Sequence, residues 1–249
     1  MQSLEHTYVD WSNYSRSYDE VIHCNPAYRD LLEQARREWR SIPTDSVTRI
    51  LDLGAGTGNF GLHALEDFPE ASLDLVDADL RMLHQARHKT SPGQKVRLLV
   101  NGAKEYLEKD GPSYSLILCF HCLYTLPDPK GTLKAMRQRL APGGSVLLCD
   151  LGRVLDVGKW RGIIFGDLVR QRGLPQALQV LWRARDFTSQ NQTIAQLQRN
   201  GTFWIHSHEE FLSAVEEAGF EVREHRIVFE GDSDLVLATS ADEVTGLVN

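Results

Sequence analysis

Short apolar runs alternate with stretches in which apolar residues recur at helical spacing over residues 47–150. The apolar runs predict strands over Ile50–Leu53, Leu73–Asp77, Val96–Val100, Tyr114–Phe120 and Ser145–Leu148. Continuous apolar strands are typical of a sheet that is buried on both faces, and their alternation with helices indicates parallel βαβ units. Ligands of such sheets bind where the strands end. The pattern therefore predicts an α/β core with a ligand site at the carboxyl edge of its sheet.

The segment that precedes this core, residues 1–46, is aromatic and mixed in charge. A helix is predicted over Pro26–Arg40, because proline suits a first helical turn and Asn25 precedes it as a cap. The N-terminal segment is therefore predicted to be largely helical.

The C-terminal segment, residues 207–249, carries its own signals. Ser207 and Glu210 have the spacing of a capping box before an apolar helix. Two further strands are predicted over 220–229 and 234–239, with a short polar turn between them. The segment is therefore predicted to form a helix and a β-hairpin.

Between the core and this hairpin, residues 151–206 break the alternation and read as helical. Residues 151–200 contain eight Lys or Arg against three Asp or Glu, whereas the rest of the chain contains 19 against 31. A basic insertion on an acidic chain suggests an anionic ligand, for which Arg153, Arg161 and Arg185 are candidates. The alternative is a solvated helical face, which explains most charge clusters.

Glycine residues alternate directly after the first apolar run, at positions 54, 56 and 58. Glycine has no Cβ and takes positive φ readily, so such a turn leaves backbone N–H groups exposed at the start of the next helix. Nucleotide-like ligands bind in this setting. The glycine turn therefore predicts a cofactor site.

The positions of the glycines discriminate between two cofactors. A dinucleotide fingerprint, G-x-G-x-x-G, fails at Asn59 if it starts at Gly54, and it begins beyond the apolar run if it starts at Gly56. The spacing D-x-G-x-G-x-G, which begins at Asp52, instead resembles the first motif of class I S-adenosylmethionine-dependent methyltransferases. An NAD-dependent dehydrogenase is the less favoured alternative.

Later segments resemble the same family in the expected order, over most of residues 47–150. They are an acid at the end of the second strand (Asp77), Asn101–Ala103 after the third, HCLYTLPDP from His121 to Pro129 after the fourth, and LAPGG from Leu140 to Gly144 before the fifth. The segment from His121 is similar to small-molecule methyltransferases akin to those of ubiquinone and menaquinone biosynthesis. The chain departs from the family at Ser115, where an aspartate is usual.

The resemblance implies a Rossmann-like α/β fold, with a doubly wound seven-stranded sheet, a terminal antiparallel hairpin and a helical cap insertion. Four segments follow from it along the chain: an N-terminal helical segment that covers the cofactor (1–46), an adenosylmethionine-binding core (47–150), a helical cap or substrate lid (151–206), and a C-terminal helix and hairpin that complete the core sheet (207–249).

The resemblance also implies the residues that hold S-adenosylmethionine. Asp77 corresponds to the acid that binds both ribose hydroxyls, and a carboxylate suits a vicinal diol because its two oxygens accept both donors. Asp52 orients the methionine part through the glycine turn. The full predicted cofactor set is Tyr14, Tyr18, Asp52, Gly54, Ala55, Gly56, Asn59, Asp77, Ala78, Met82, Asn101, Gly102, Ala103, Cys119 and Phe120.

Catalysis is expected from two residues after the fourth strand. His121 is the predicted general base, because an unperturbed pKa near 6.5 suits proton abstraction at neutral pH. Tyr124 is predicted to hydrogen-bond the acceptor. The alternative is that both side chains only shape the pocket.

The predicted reaction is methyl transfer to an oxygen or nitrogen of a small, anionic organic molecule, with S-adenosylhomocysteine as the product; carbon methylation stays open. A non-catalytic adenosylmethionine-binding protein is an alternative that the cofactor motifs do not exclude. The exocyclic-amine signature of nucleic-acid methyltransferases is absent, and a net charge of −7 disfavours phosphate backbones. No nucleic-acid partner is predicted, and the oligomeric state is left open.

A metal site is not expected. Cys119, His121 and Cys122 have no second set of ligands in the sequence, and strand alternation would point Cys119 away from Cys122. All four cysteines are expected to be reduced. No apolar run is long enough for a membrane span, and Met1–His6 is unlike a signal peptide, so the sequence predicts a cytoplasmic protein without a membrane partner.

Overall fold

The computed structural model describes residues 8–241, without the side chains of residues 16 and 17. The prediction for Met1–His6 lies outside these residues, as do the outer ends of the two predicted terminal segments. Within the described range the strands are β1 (Arg49–Leu53), β2 (Ser72–Asp77), β3 (Val96–Val100), β4 (Tyr114–Phe120), β5 (Leu140–Leu151), β6 (Phe220–Val228) and β7 (Ser233–Ser240). They form one sheet in the order β3-β2-β1-β4-β5-β7-β6.

Strands β1 to β5 pair in parallel, and the terminal hairpin of β6 and β7 adds to β5 in antiparallel orientation. The predicted fold class is therefore confirmed. The strand order reverses between β1 and β4, since β2 and β3 lie on one side and β5 on the other. In doubly wound sheets this reversal opens a crevice at the carboxyl ends of the strands, where ligands bind.

The helices connect and cover the strands. Those of the described residues are α1 (Trp11–Ile22), α2 (Pro26–Arg40), α3 (Asn59–Asp67), α4 (Leu80–Lys89), α5 (Ala103–Glu108), α6 (Pro129–Arg139), α7 (Val157–Arg172), α8 (Leu174–Arg183), α9 (Arg185–Arg199) and α10 (His208–Glu217). None of them is both long and apolar enough to cross a membrane.

Strand β4 shows why the core strands are apolar along their whole length. Leu116, Leu118 and Phe120 face one layer, which α2, α3 and α4 cover, while Ile117 and Cys119 face the layer of α5, α6 and α10. Every residue of β4 is buried. A central strand therefore has no polar face, as the sequence predicted.

Local signals in the sequence locate two helices. Helix α2 spans the predicted residues, and the Asn25 side chain accepts a hydrogen bond from the Ala27 N–H. The capping box is also present: the Ser207 hydroxyl accepts from the Glu210 N–H, and the Glu210 carboxylate accepts from the Ser207 N–H. These predictions are confirmed.

Ser115, the residue that departs from the family pattern, joins β4 to the start of β1. Its hydroxyl oxygen accepts hydrogen bonds from the N–H groups of Thr48 and Arg49, at 2.9 Å each, and the hydroxyl donates to the Arg49 carbonyl. The serine thus forms hydrogen bonds with three backbone groups near the amino ends of β1 and β4, away from the carboxyl ends where ligands bind.

Candidate active site

The glycine turn lies between β1 and α3 and adopts the left-handed conformation that glycine favours. Gly54, Gly56 and Gly58 have φ of 69°, 54° and 77°. A Cβ on Gly54 would lie 2.2 Å from Cys122 Sγ, whereas a Cβ on Gly56 would meet no protein atom within 4 Å. Gly54 is therefore required by packing inside the protein, while Gly56 borders open space that a ligand can fill.

Asp77, at the end of β2, is fixed beside this turn. One carboxylate oxygen accepts a hydrogen bond from the Gly56 N–H and the other from the Asp79 N–H, at 2.8 Å each. Burial raises the pKa of Asp77, although both N–H groups oppose that shift. Each oxygen keeps a further lone pair, so the carboxylate is oriented to accept two more donors.

Asp52, in β1, holds the start of the next helix. It is 2% exposed, and one of its oxygens accepts a hydrogen bond from the Gly61 N–H at 2.9 Å. Burial raises the pKa of Asp52 to about 7, with a smaller contribution from Asp77. A buried carboxylate with this pKa changes its protonation state readily at neutral pH.

These groups open into a cavity of about 350 Å³ at the carboxyl ends of β1 and β4. The predicted cofactor residues that line it are Tyr14, Tyr18, Asp52, Gly54, Ala55, Gly56, Asn59, Asp77, Ala78, Met82, Asn101, Ala103 and Phe120, together with His121 and Tyr124. Gly102 and Cys119 do not line it. Cys119 lies on the opposite face of β4, in the layer of α5, α6 and α10.

Helix α1 closes one side of the cavity and is anchored on the glycine turn. Asp19 accepts hydrogen bonds from the Thr57 hydroxyl at 2.7 Å and from the Asn59 amide at 3.2 Å. The Lys89 ammonium lies 2.6 Å from the second oxygen of Asp19. Helix α1 is thus attached to the glycine turn through the carboxylate of Asp19.

The same helix also contacts the helices of residues 151–206. The Tyr14 ring stacks on Phe187 of α9 at 4.6 Å between centroids, and its hydroxyl donates to Asn191 at 3.0 Å. Helix α1 therefore connects the glycine turn with α9, and both helices line the cavity.

A second part of the cavity lining, which the later elements of the chain supply, is largely apolar. The side chains that β5, the loop after it, α7, α9 and the turn after β6 supply to the cavity are apolar apart from Asn191: Leu151, Leu155, Trp160, Ile164, Phe187, Ile194 and Phe229. Among the described residues, neither lysine nor arginine lines the cavity. Arg153 instead pairs with Asp234 at 2.6 Å, and Arg161 and Arg185 are exposed. The predicted anionic character of the acceptor gains no support from these side chains.

His121 follows β4 in a left-handed conformation, with φ of 48°. Its Nε2 lies 3.0 Å from the Ser233 hydroxyl and 3.5 Å from Cys149 Sγ. Burial lowers the pKa of His121 to about 4. The imidazole is therefore neutral at pH 7, and the unperturbed pKa on which the prediction of a general base depended does not apply.

The turn at His121 also corrects the expected directions of two cysteines. Cys119 and Cys122 lie in the same buried layer and are hydrogen-bonded to each other, which raises the pKa of Cys119. The expectation that they point to opposite faces is wrong, because the strand alternation ends at His121. All four cysteines are free thiols.

Tyr124 lies opposite the glycine turn and is 4% exposed. Its N–H donates to Asp150 at 3.2 Å, and its carbonyl accepts from the Trp204 N–H at 2.9 Å. Asp150 is in turn 3.3 Å from the buried His206 Nε2. The Tyr124 hydroxyl has no hydrogen-bond partner within the described residues, so it is available to a ligand.

Several cavity residues were missed by the sequence analysis. Trp160, Ile194 and Phe229 come from three distant elements and belong to no motif, so only the folded chain brings them together. A cluster outside the cavity was missed for the same reason: His208 and His225 both contact one oxygen of Asp234, at 2.6 and 2.7 Å. For Asp150 the sequence carried a positional signal, since it lies two residues after the strand predicted over Ser145–Leu148.

Similarity to characterised proteins agrees with this geometry. A family model described as a methyltransferase domain matches residues 21–225. Over 145 residues the chain is 30% identical to the malonyl-[acyl-carrier protein] O-methyltransferase of Halalkalibacterium halodurans, covering 57% of this chain and 53% of that protein. Over 108 residues it is 31% identical to the ubiquinone biosynthesis O-methyltransferase of Aromatoleum aromaticum, covering 42% and 44%.

The chain thus spans about half the length of the curated relatives that it matches. Among solved structures, the N-methyltransferase NodS of Bradyrhizobium japonicum superposes with a TM-score of 0.56 at 15% identity, over 88% of this chain and 98% of that one, which shows a shared fold. The family model covers most of the chain and includes the glycine turn, Asp77 and His121. The chain therefore belongs to the class I S-adenosylmethionine-dependent methyltransferases.

Proposed function

We propose that this protein transfers the methyl group of S-adenosylmethionine to an oxygen of a small, largely apolar molecule. The observation that carries the proposal is one cavity, which is lined both by the glycine turn with Asp77 and by apolar side chains of β5, α7, α9 and the turn after β6. The two relatives described above are both named as O-methyltransferases, which favours oxygen over nitrogen.

The donor would occupy the end that contains the glycine turn. Asp77 would accept the two ribose hydroxyls, because its oxygens are held in place by the N–H groups of Gly56 and Asp79. Gly56 would let the backbone approach the ligand closely, since no protein atom occupies the space beside it. Ala78, Met82, Asn101 and Ala103, which line the same end, would surround the adenine.

The acceptor would occupy the apolar end, between Trp160, Phe187 and Phe229. Burying a charged acceptor there without a partner would be costly, and no lysine or arginine of the described residues faces it. We therefore propose a neutral acceptor with an aromatic or aliphatic body and one hydroxyl group, in place of the anionic acceptor that the sequence suggested.

Positioning would supply most of the catalysis. A sulfonium is an activated methyl donor, so the protein mainly has to align the acceptor oxygen and exclude water. Correct alignment alone contributes roughly 7–11 kcal/mol of barrier lowering. The Tyr124 hydroxyl, which has no partner within the described residues, would orient the acceptor, while Tyr14 and Tyr18 of α1 would cover the transferred group.

His121 would accept a hydrogen bond from the hydroxyl group of the methyl-accepting molecule. Its pKa of about 4 keeps the imidazole neutral, and because Nε2 lies 3.0 Å from the Ser233 hydroxyl, Nδ1 would be the accepting atom. The same low pKa makes it a weak base. We therefore expect it to accelerate the reaction by less than the roughly 10²–10⁴-fold that is typical of a general base with a pKa near the working pH.

The donor assignment is tested by calorimetric titration with S-adenosylmethionine, S-adenosylhomocysteine and NAD. We expect both sulfur nucleosides to bind and NAD not to bind. Asp77→Ala should weaken binding by roughly a hundredfold, since it removes two charge-assisted hydrogen bonds of about 1.5 kcal/mol each. The exposed Asp110→Ala is the matched control. NAD binding alone, or unchanged affinity in Asp77→Ala, would contradict the donor assignment.

The transfer itself is tested with isotope-labelled donor and a panel of acceptors. Neutral phenols and apolar alcohols should accept the label, and malonyl-acyl carrier protein should be a poor acceptor because its carboxylate finds no cation in the pocket. Tyr124→Phe should lower kcat more than donor affinity. Tight donor binding without transfer to any acceptor would instead favour a non-catalytic binding protein.

A further inference from the structure

Helix α8 presents an apolar surface that nothing in the described structure covers. Leu174, Leu178 and Trp182 lie at positions i, i+4 and i+8 and are 53%, 54% and 67% exposed. We call these three residues the α8 stripe. Ala177 and Val180 of the same helix are buried, so α8 packs through one side and exposes large side chains on another.

Basic residues outnumber acidic ones around the α8 stripe. Residues 170–185 contain four arginines and no aspartate or glutamate, on a chain whose net charge is −7. The arginines are Arg170, Arg172, Arg183 and Arg185, and all are exposed. Three of them pair with acidic residues outside this segment, namely Asp167, Glu20 and Asp186. Ion pairs with such solvent-exposed arginines contribute only about 0–1 kcal/mol, so lipid phosphates can compete for them. The Arg185 guanidinium lies 5.1 Å from the Trp182 ring centroid, next to the apolar surface. A ligand that combines apolar groups with negative charge would match this surface.

We propose that α8 is a docking surface for an anionic lipid bilayer. The α8 stripe would enter the boundary between headgroups and acyl chains, and the four arginines would contact lipid phosphates. An amphipathic helix with tryptophan and leucine on its apolar face and basic residues beside it is typical of such contacts. The prediction of no membrane partner considered spanning segments, and a helix that lies on a surface needs none.

A protein partner fits the surface less well. A stable protein interface buries roughly 800 Å² on each side. The exposed parts of three side chains on one ten-residue helix provide only on the order of 300 Å². A bilayer needs no complementary groove, and lipids diffuse to the arginines, so one helix face and its flanking charges are sufficient for reversible binding.

The position of α8 connects this surface with the cavity. Helix α8 packs against α7 and α9, and those two helices supply Trp160, Ile164, Phe187 and Ile194 to the apolar end of the cavity. A bilayer bound at α8 would therefore lie next to the helices that cover the cavity. The docking proposal itself does not rest on methyl transfer, since it concerns the outer face of the helix.

Vesicle co-sedimentation of the full chain tests the proposal. We expect binding to vesicles of phosphatidylglycerol mixed with phosphatidylcholine, much weaker binding to phosphatidylcholine alone, and partial release at high salt. The double variant Leu178→Ser with Trp182→Ser should bind at least about tenfold more weakly. Arg183→Gln with Arg185→Gln should weaken binding by about tenfold or more, because each arginine contributes about fivefold.

Ile227→Ser is the matched control, since Ile227 is 55% exposed but lies on β6. It should bind vesicles like the unmodified protein. Unchanged donor affinity in every variant would show that each is folded. Absence of binding to anionic vesicles, equal binding to neutral vesicles, or equal binding by the stripe variant would overturn the proposal. So would sedimentation velocity that shows a dimer which the stripe variant abolishes.

Discussion

At the scale of single residues, two glycines of the same turn have different reasons to be glycine. Gly54→Ala places a Cβ 2.2 Å from Cys122 Sγ and 2.6 Å from its Cβ, so rotation of the cysteine side chain cannot relieve the overlap. We expect a loss of about 2–4 kcal/mol in the free energy of unfolding, from overpacking and backbone strain together. Chemical denaturation measures it.

Gly56→Ala is the matched comparison, since its φ is also positive but its Cβ would meet no protein atom. Only backbone strain of about 1 kcal/mol should appear in the free energy of unfolding. The new methyl group would instead occupy space that we assign to the donor, so S-adenosylmethionine affinity should fall more than tenfold by calorimetry. Equal stability of the two variants would contradict this distinction.

Asp52 provides a pH test. Burial raises its pKa to about 7, and a cationic donor beside it would favour the ionised form. Donor binding should therefore release a proton near neutral pH, and affinity should rise as pH rises through 7. In the absence of donor, the free energy of unfolding changes in the opposite direction. The folded protein binds the proton of Asp52 more tightly than the unfolded chain does, so its stability should fall as pH rises towards the folded pKa of about 7.

Calorimetry in two buffers with different ionisation enthalpies counts the released protons. Asp52→Asn should release fewer protons than the unmodified protein and should show a flatter dependence of affinity on pH. The donor has its own ionisable amino group, so the difference between the two proteins is the relevant quantity. An identical proton count in both proteins would exclude Asp52 as the titrating group.

At the scale of elements, α1 depends on one side chain for its attachment to the glycine turn. Asp19→Ala removes the contacts to Thr57, Asn59 and Lys89. We expect donor affinity to fall about three- to tenfold, with little change in global stability, because the partly exposed ion pair contributes about 0–1 kcal/mol.

Glu20→Ala is the control for this prediction, since Glu20 is the next residue on α1 and pairs with Arg183 at the surface. Its donor affinity should match that of the unmodified protein. If Asp19→Ala and Glu20→Ala behave alike, the contact between α1 and the glycine turn has no role in donor binding.

Which elements the sequence predicted depends on where their signals lie. Helix α2 and strands β3 and β4 have the predicted bounds, because Asn25 caps the helix and each strand is a largely apolar run. Residues 157–199 gave no bounds for α7, α8 and α9, since the turn between α7 and α8 depends on a single glycine, Gly173, with φ of 80°. Tertiary packing sets such boundaries.

At the scale of the whole molecule, one part of the cavity is built from residues that are close together in the sequence, and the other part from residues of distant elements. The end that we assign to the donor comes largely from motifs between Asp52 and Ala103, which lie close together in the sequence, so the sequence was sufficient to predict it. The apolar end combines α7, α9 and the turn after β6, whose positions follow from packing alone. The sequence therefore predicted the cofactor but suggested an acceptor charge that the cavity lining does not favour.

Donor binding should therefore affect parts of the molecule unequally. We expect S-adenosylmethionine to slow amide hydrogen exchange in α1 and α9, which close over the cavity, and to leave the β6–β7 hairpin unchanged. Exchange detected by mass spectrometry measures both regions. Asp77→Ala should abolish the protection, whereas uniform protection of the whole chain would indicate global stabilisation without closure of α1.

The fixed carboxylate of Asp77 has a kinetic consequence. Its oxygens are held by Gly56 and Asp79 before any ligand arrives, so the ribose recognition that we propose for it would not depend on the methyl group. The spent nucleoside keeps the same ribose as the fresh donor, and loss of the sulfonium charge removes only part of the attraction. The product should therefore compete strongly with the substrate, and sustained turnover would require a second enzyme that destroys the product.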